Sequence, residues 1–295
     1  MVGPRLGFIG LGAMGRPMAG HLLAGGYSLA VWARRQATAQ PLVEAGATLC
    51  ATPAELARRS DIVFTMVTTG ADVEQVLFGP EGLGEGLAPG ALLIDMSTIA
   101  PGHARRLATR LTAQGVDMLD APVSGGAAGA GAATLAIMVG GQSTALERAR
   151  PLFNRLGKTL VHVGDHGAGQ VAKACNQVVM VGFIAAVAEA LHLAQAAGAD
   201  PARVCQALAG GSAGSRVLEV FGGRMAARDF TAGVEARLHH KDYAILMGEA
   251  QRLGVPLPVS GQVWQQLNAL MAKGGGSDDT SSLLRVLEGH DRGAR

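Results

Sequence analysis

The chain has 295 residues, of which 48% are hydrophobic, 16% charged and 4% aromatic, with 43 glycines and a net charge of +2. That length suits one large domain plus a smaller one, and the composition excludes a disordered chain. Near-neutrality without a long Lys/Arg run excludes a nucleic-acid stripe, and glycines without a fixed period exclude a fibrous or repeat architecture.

The first apolar run, Leu6–Ile9, reads as a buried strand. Glycines follow it at a functional spacing and no cleavage site does, so a signal peptide is not expected. The strand runs into Gly10-Leu11-Gly12-Ala13-Met14-Gly15 and then a helix over Pro17–Leu23. Between a strand and a helix, G-x-G-x-x-G is a dinucleotide turn. Its first glycine permits the tight turn, the second lets the backbone approach a pyrophosphate, and the third lets helix pack on strand. The helix start then offers N–H groups to the phosphates. A plain strand-to-helix turn is the alternative.

The second strand, Leu29–Trp32, leads into Ala33-Arg34-Arg35, and no acidic residue lies between Gly15 and Glu44. An NAD-binding chain usually has Asp or Glu about 20 residues past the glycines, bonded to the ribose 2′-hydroxyl. Arg34 and Arg35 suit a 2′-phosphate instead. NADP is therefore the expected cofactor, with NAD left open and two solvated arginines as the other reading.

Helices over Pro53–Arg59 and Pro101–Ala113, each opening at proline, alternate with strands at Ile62–Val67, Leu92–Asp95 and Met118–Asp120. Strands at Leu135–Val139 and Thr159–Val163, flanking a helix through Thr144–Leu156, extend the pattern. Such alternation predicts an α/β domain with a doubly wound, Rossmann-type parallel sheet. Asp120-Ala121-Pro122-Val123-Ser124-Gly125-Gly126 follows a strand at the carboxyl edge, where α/β ligands bind. The Ser124 hydroxyl with the Gly125 and Gly126 N–H groups would make an anion pocket for a substrate carboxylate; a structural turn fits the spacing equally.

After Gly167 the texture changes. Gln170–Ala197 contains no proline and one glycine, Gly182. It predicts a helix of about 28 residues, roughly 42 Å long, enough to bridge two domains. We place the boundary near Gly164–Gly167, giving a dinucleotide domain over 1–165 and an all-α domain over 166–295. Further helices are expected at Pro201–Leu208, Ser215–Ala227, His239–Leu253 and Val259–Lys273, then a loop at Gly274–Ser277 and a frayed tail at Asp291–Arg295. The longest uninterrupted apolar run, Val178–Ala188, is shorter than the ~18–20 residues that cross a bilayer, so no membrane span is expected.

Lys173 and Asn176 lie one helical turn apart and share a face. A lysine in an apolar stretch is costly to bury without a partner or a task. Burial beside a nicotinamide would favour its neutral amine and suit it to exchange the hydroxyl proton in alcohol–carbonyl chemistry; a snorkelling lysine is the alternative. Cys50, Cys175 and Cys205 form no metal pattern or disulfide framework, which suits a reducing cytoplasm. Cys175 reads as a small buried filler rather than a reactive thiol. His239 and His240 point about 100° apart on a helix and lack supporting ligands, so no metal is expected.

The glycine turn, Asp120–Gly126, Lys173–Asn176 and Lys241-Asp242, in this order and spacing, together resemble the β-hydroxyacid dehydrogenase family over essentially the whole chain. The resemblance implies a Rossmann domain, a helical domain that builds oligomer contacts, and substrate bound between them. It implies that Lys173 gives and takes the proton, that Ser124, Gly125, Gly126 and Asn176 hold the substrate, and that Lys241 lines the cofactor side. Val67, Thr68 and Thr98 would lie along the dinucleotide, Thr68 standing where the family usually has proline. The expected partner is a small carboxylate-bearing hydroxy acid or semialdehyde, and the expected assembly a homodimer or homotetramer. Gly210–Glu219 and the stretch from Phe230 to Asp242 look most like the branch that reduces tartronate semialdehyde, with 3-hydroxyisobutyrate and succinic-semialdehyde types as alternatives. Ala33-Arg34-Arg35 looks more like NADP-using semialdehyde reductases. Imine reduction on the same scaffold, or a non-catalytic cofactor-binding module, are the rivals; Lys173 with Asn176 argues against both.

Overall fold

The computed structural model describes residues 3–289, which divide into two compact units at Lys173/Ala174. The expected tail, Asp291–Arg295, lies outside the described residues.

In the first unit, β1 (Leu6–Ile9), β2 (Leu29–Trp32), β3 (Thr48–Leu49), β4 (Ile62–Thr65), β5 (Leu92–Asp95) and β6 (Asp117–Asp120) lie parallel in the order β3-β2-β1-β4-β5-β6. Beyond them, β8 (Leu135–Gly141) runs antiparallel to β6 and to β7 (Val123–Ser124) and parallel to β9 (Gly157–Gly164). The connections carry α1 (Gly15–Ala24), α2 (Gln40–Glu44), α3 (Pro53–Arg58), α4 (Gly70–Phe78), α5 (Pro101–Thr112), α6 (Gly126–Gly131) and α7 (Ser143–Phe153). The strand order reverses between β1 and β4, and ligands of open α/β sheets bind beyond the carboxyl ends at such a switch point.

Strand side chains alternate between the two faces. Phe8, Phe64 and Ile94 are buried with Met18, Leu22 and Phe153 in one core, whereas Ile9, Val63 and Leu93 are buried with Leu56, Leu77 and Leu107 in another. Both faces are therefore covered by helices, as the continuous apolar runs require. The rings of Phe8 and Phe64 stack with centroids 5.7 Å apart.

The first unit departs from the sequence reading in its small elements. β3 and β7 are two residues long, too short for any periodicity. α4 was not expected, although Thr69 and Asp72 form a reciprocal capping box at its start, a signature visible in sequence. The strand expected over Ile62–Val67 stops at Thr65, because the Val67 N–H leaves the ladder and donates to Ser97 Oγ at 2.9 Å.

α8 (Ala168–Ala196) begins in the first unit and continues into the second. There Val181, Ile184, Ala188 and Leu191 form a stripe at helical spacing, buried with Tyr243, Leu246, Leu267 and Leu270. The second unit continues with α9 (Pro201–Ala209), α10 (Gly223–Ala227), α11 (Ala236–Leu253), α12 (Pro258–Ala272) and α13 (Leu283–Leu287). The single helix expected over Ser215–Ala227 contains a π-helical turn at Leu218–Gly222. It ends at Gly222, followed by Gly223, where helix propensity is weak.

By length and composition α8 could cross a membrane, which a count of uninterrupted apolar residues conceals. Gln170, Lys173 and Gln177 interrupt it, and each is buried with a protein hydrogen-bond partner.

Candidate active site

The glycine turn adopts a different geometry at each glycine. Gly10 has φ +98, and a Cβ there would lie 2.1 Å from the Met66 carbonyl oxygen. Any other residue would thus be strained and would also strike the β4 loop. At Gly15 a Cβ would meet the Gly10 carbonyl oxygen at 1.9 Å, whereas at Gly12 it would meet nothing within 4 Å. Two glycines therefore serve the protein's own packing, and the third leaves open space where a pyrophosphate would approach. Met14, the N-cap of α1, provides no side-chain cap and the first turn has no acidic residue, so the positive end of the helix faces that space. Of the other turn residues, Leu11 is buried, Met14 half-buried and Ala13 exposed. The residues present fit a dinucleotide.

Arg34 and Arg35, just past β2, are both exposed. Arg34 Nη1 lies 3.5 Å from Asp72 Oδ1, with the arginine side chain 79% exposed. Such a pair stabilises little, and both guanidiniums stay within reach of solvent-borne anions.

The loops after β4 and β5 are tied together. The Val67 N–H donates to Ser97 Oγ, and the Ser97 N–H donates to Asp95 Oδ1, which also accepts from Thr65 Oγ1. Thr68 is exposed, and Thr98 is half-buried between Ser97 and Ile99. Asp95 is fully buried, and its Oδ2 has no hydrogen-bond partner. Burial pushes this carboxyl up to about 6, against the hydrogen bonds from Ser97 and Thr65 and with the help of the Asp120 charge.

Asp120 pairs in register with Asp95 on the neighbouring strand. Its two oxygens accept the backbone N–H groups of Gly167, at 2.7 Å, and Gln170, at 3.0 Å, at the start of α8. Burial raises its carboxyl as well, opposed by those N–H groups. Gln170 reaches the β5 loop with both ends of its amide: Nε2 donates to the Ser97 carbonyl and Oε1 accepts from the Ile99 N–H. One turn on, Lys173 is only 8% exposed, and its Nζ donates to the Val123 carbonyl at 2.9 Å. Lys173 is thus buried rather than snorkelling.

Val123 carries straight into the predicted anion pocket. Ser124, half-buried, ends β7, and Gly125 and Gly126 follow with φ of +135 and +62. This backbone needs glycine and leads into the short helix α6. The first unit accordingly brings together the glycine turn, Val67, Thr98, Lys173 and Ser124–Gly126.

Asn176 and Lys241 belong to the second unit, where Asp242 of the Lys241-Asp242 motif and Gln177, which the sequence reading does not single out, connect them. Asn176 Nδ2 donates to Gln177 Oε1, Gln177 Nε2 donates to Asp242 Oδ2 at 2.6 Å, and Asp242 Oδ1 pairs with Lys241 Nζ at 3.0 Å. Gln177 and Asp242 are buried, and a glutamine and an asparagine side by side in an apolar helix were the available signal. The two histidines diverge: His239 Nδ1 bonds Thr280 Oγ1, while His240 stacks on Trp264 and bonds Asn268. Cys175 is exposed, which corrects the expectation of a buried filler. The buried face of α8 carries residues 170, 173, 177, 181 and 184, so position 175 turns outward.

Comparison with known proteins follows the same division. Residues 5–164 match the family described as the NAD binding domain of 6-phosphogluconate dehydrogenase, and residues 167–287 match that described as the NAD-binding domain of NADP-dependent 3-hydroxyisobutyrate dehydrogenase. The 2-hydroxy-3-oxopropionate reductase of Escherichia coli is 44% identical, covering 96% of this chain and 97% of its own length. The solved structure of Mycobacterium tuberculosis 3-hydroxyisobutyrate dehydrogenase with L-serine aligns at TM-score 0.88 and 30% identity, over 97% of this chain and 99% of that one. An imine reductase from Myxococcus stipitatus with NADP+ aligns at TM-score 0.67 and 25% identity, over 96% and 100%.

Proposed function

Because this chain belongs to the β-hydroxyacid dehydrogenase family, of 3-hydroxyisobutyrate dehydrogenase type, and is an oxidoreductase that uses a nicotinamide dinucleotide, we propose that it reduces a small semialdehyde acid to its 3-hydroxy acid, reversibly, with NADPH. Tartronate semialdehyde, the 2-hydroxy-3-oxopropionate in the name of the E. coli relative, is the first substrate to try. The observation that carries this reading is Lys173, buried with its Nζ held 2.9 Å from the Val123 carbonyl, next to Ser124 and its two glycines.

When bound, the cofactor supplies hydride from C4 of its nicotinamide. The protein's part is to hold the acid and move one proton. The Ser124 hydroxyl and the N–H groups of Gly125 and Gly126 bind the carboxylate. Lys173 gives its proton to the carbonyl oxygen as that oxygen gains charge and is left as a neutral amine; in the oxidative direction it takes the proton back. The Gly10–Gly15 turn would seat the pyrophosphate, with Val67, Thr68 and Thr98 along the dinucleotide. Arg34 and Arg35 would pair with the 2′-phosphate and so favour NADP over NAD.

A panel of tartronate semialdehyde, methylmalonate semialdehyde and succinic semialdehyde, beside cyclic imines, with NADPH and NADH, tests this by loss of reduced-cofactor absorbance. The expected result is turnover of at least one semialdehyde with NADPH preferred. Turnover of imines alone, or of no carbonyl acid, refutes the reading.

A further inference from the structure

The dinucleotide turn, the carboxylate pocket and Lys173 account for the chemistry, but they leave a set of buried polar groups without a task. Asp120 and Gln170 make four hydrogen bonds between them to backbone at the head of α8 and in the β5 loop, and the chemistry proposed above uses neither. Burying a carboxylate and an amide is costly unless every atom is satisfied, and here both ends of each are.

We propose that Gln170 is a positioning residue: its side-chain amide clamps the Ser97–Ile99 turn, which lies along the cofactor, to the helix that carries Lys173, and so sets the distance between the hydride donor and the proton donor. This proposal rests on the assignment of Lys173 made above. Gln170 brackets Thr98 from both sides, accepting from the Ile99 N–H at 3.0 Å and donating to the Ser97 carbonyl at 2.8 Å. A primary amide is suited to this, since one planar group presents a donor and an acceptor side by side. The Ser97 hydroxyl accepts from the Val67 N–H, so the loop after β4 is tied to the same clamp.

The other side of the clamp is as closely built. The Asp120 carboxylate takes the N–H of Gly167 and of Gln170 itself, which fixes the first turn of α8 on the end of β6. Two glycines allow that approach. A Cβ on Gly169 would lie 2.4 Å from the Asp120 carbonyl oxygen, and one on Gly140 would lie 2.7 Å from Asp120 Oδ1. Lys173, three residues past Gln170, projects from the same face of the helix and meets the Val123 carbonyl. A continuous chain of hydrogen bonds thus runs from Val67 through Ser97 and Gln170 into the Lys173 helix. Misplacing reacting groups by about 1 Å costs on the order of a hundredfold in rate, which is the scale of effect that such a clamp controls.

The test compares wild type with Gln170→Met, which keeps the length and removes both hydrogen bonds, and with Gln170→Glu. The carboxylate introduced by Q170E accepts from Ile99 but faces the Ser97 carbonyl with a second acceptor until it is protonated. Amide hydrogen exchange, which needs no substrate, comes first. In Q170M, exchange at Ile99 should be at least about tenfold faster, with Leu92–Asp95 unchanged; unaltered protection at Ile99 overturns the clamp whatever the enzyme reduces. On the semialdehyde turned over best by wild type, kcat should fall about 10- to 100-fold while KM and NADPH affinity stay within about threefold. The isotope effect with 4-deuterated NADPH should rise as hydride transfer becomes limiting. Relative to wild type at each pH, Q170E should regain rate as the pH falls from 8 to 6. A kcat within twofold of wild type, or a loss of rate that follows only the folded fraction with an unchanged isotope effect, overturns the positioning role. If wild type reduces no carbonyl acid, the function proposed above fails, and the exchange result still decides on Gln170.

Discussion

The turn before α1 and the head of α8 are both helix starts at the carboxyl edge of one sheet, and they are built in opposite ways. At Gly10–Gly15 no side chain caps the helix: the open space around Gly12 and the uncapped first turn leave the helix end available to an anion from outside. At Gly167–Lys173 the same kind of end is filled from within, because the Asp120 carboxylate already takes the N–H groups of Gly167 and Gln170. A helix N-terminus is a ligand site only where the protein has not satisfied it. Once satisfied, it becomes a rigid mount, and here the mounted group is Lys173.

Substituting Lys173 separates the two regions most sharply. Lys173→Ala should lower kcat by about a thousandfold, within the range of a lost general acid–base, while NADPH binding measured by fluorescence stays near wild type. Retained turnover would remove the mount's purpose.

The turn itself divides into glycines needed for folding and a glycine needed for binding. Gly10→Ala must force a Cβ against the Met66 carbonyl at φ +98, and should cost on the order of 3 kcal/mol or more in chemical denaturation. Gly12→Ala should leave stability within about 0.5 kcal/mol, since nothing lies within 4 Å, and should weaken NADPH binding about tenfold, or about 1.4 kcal/mol. A Gly12→Ala variant that bound NADPH normally would show that the space is not the pyrophosphate seat.

Asp95 tests the filled side by pH. Its folded value of about 6 lies above the ordinary 3.8, so the folded state holds a proton that the unfolded chain releases. The contribution of Asp95 to stability is therefore full below about pH 4 and is lost as pH rises through about 6. Asp95→Asn keeps an acceptor for Thr65 and Ser97 and should flatten that decline, a gain on the order of 3 kcal/mol at pH 7 in thermal unfolding. An unchanged pH profile would mean that the carboxyl is ionised in the fold.

The last test lies at the edge of the turn. Arg34→Ala should reduce the NADPH-over-NADH preference in kcat/KM about tenfold, about 1.4 kcal/mol, because its exposed pairing with Asp72 holds little. Equal use of both cofactors by wild type would refute the 2′-phosphate assignment.

Much of this was legible in the residues. The strands at Leu6–Ile9, Leu29–Trp32 and Leu92–Asp95 fall where the apolar runs place them, because a strand buried on both faces needs such runs. Lys173 stood out as a charge in an apolar stretch. Gln170 and Gln177 did not, and Asp120 and Asp242 entered only as members of motifs, since nothing in their own neighbourhoods distinguishes a buried, satisfied polar group from a solvated one. Cys175 was misjudged for the same reason: its environment depended on which face of α8 was covered.

The sequence by itself determined the local properties: the alternation that makes the sheet, the glycine spacing of the turn, the missing acid after β2 and the length of α8. These follow from backbone geometry and periodicity within a few residues. Only the tertiary structure decided which polar groups meet, because the partners of Gly167, Gln170 and Lys173 lie 47 to 73 residues away in the chain. Closing such loops costs chain entropy that no local structure repays, and no local pattern records which buried donor will find which acceptor.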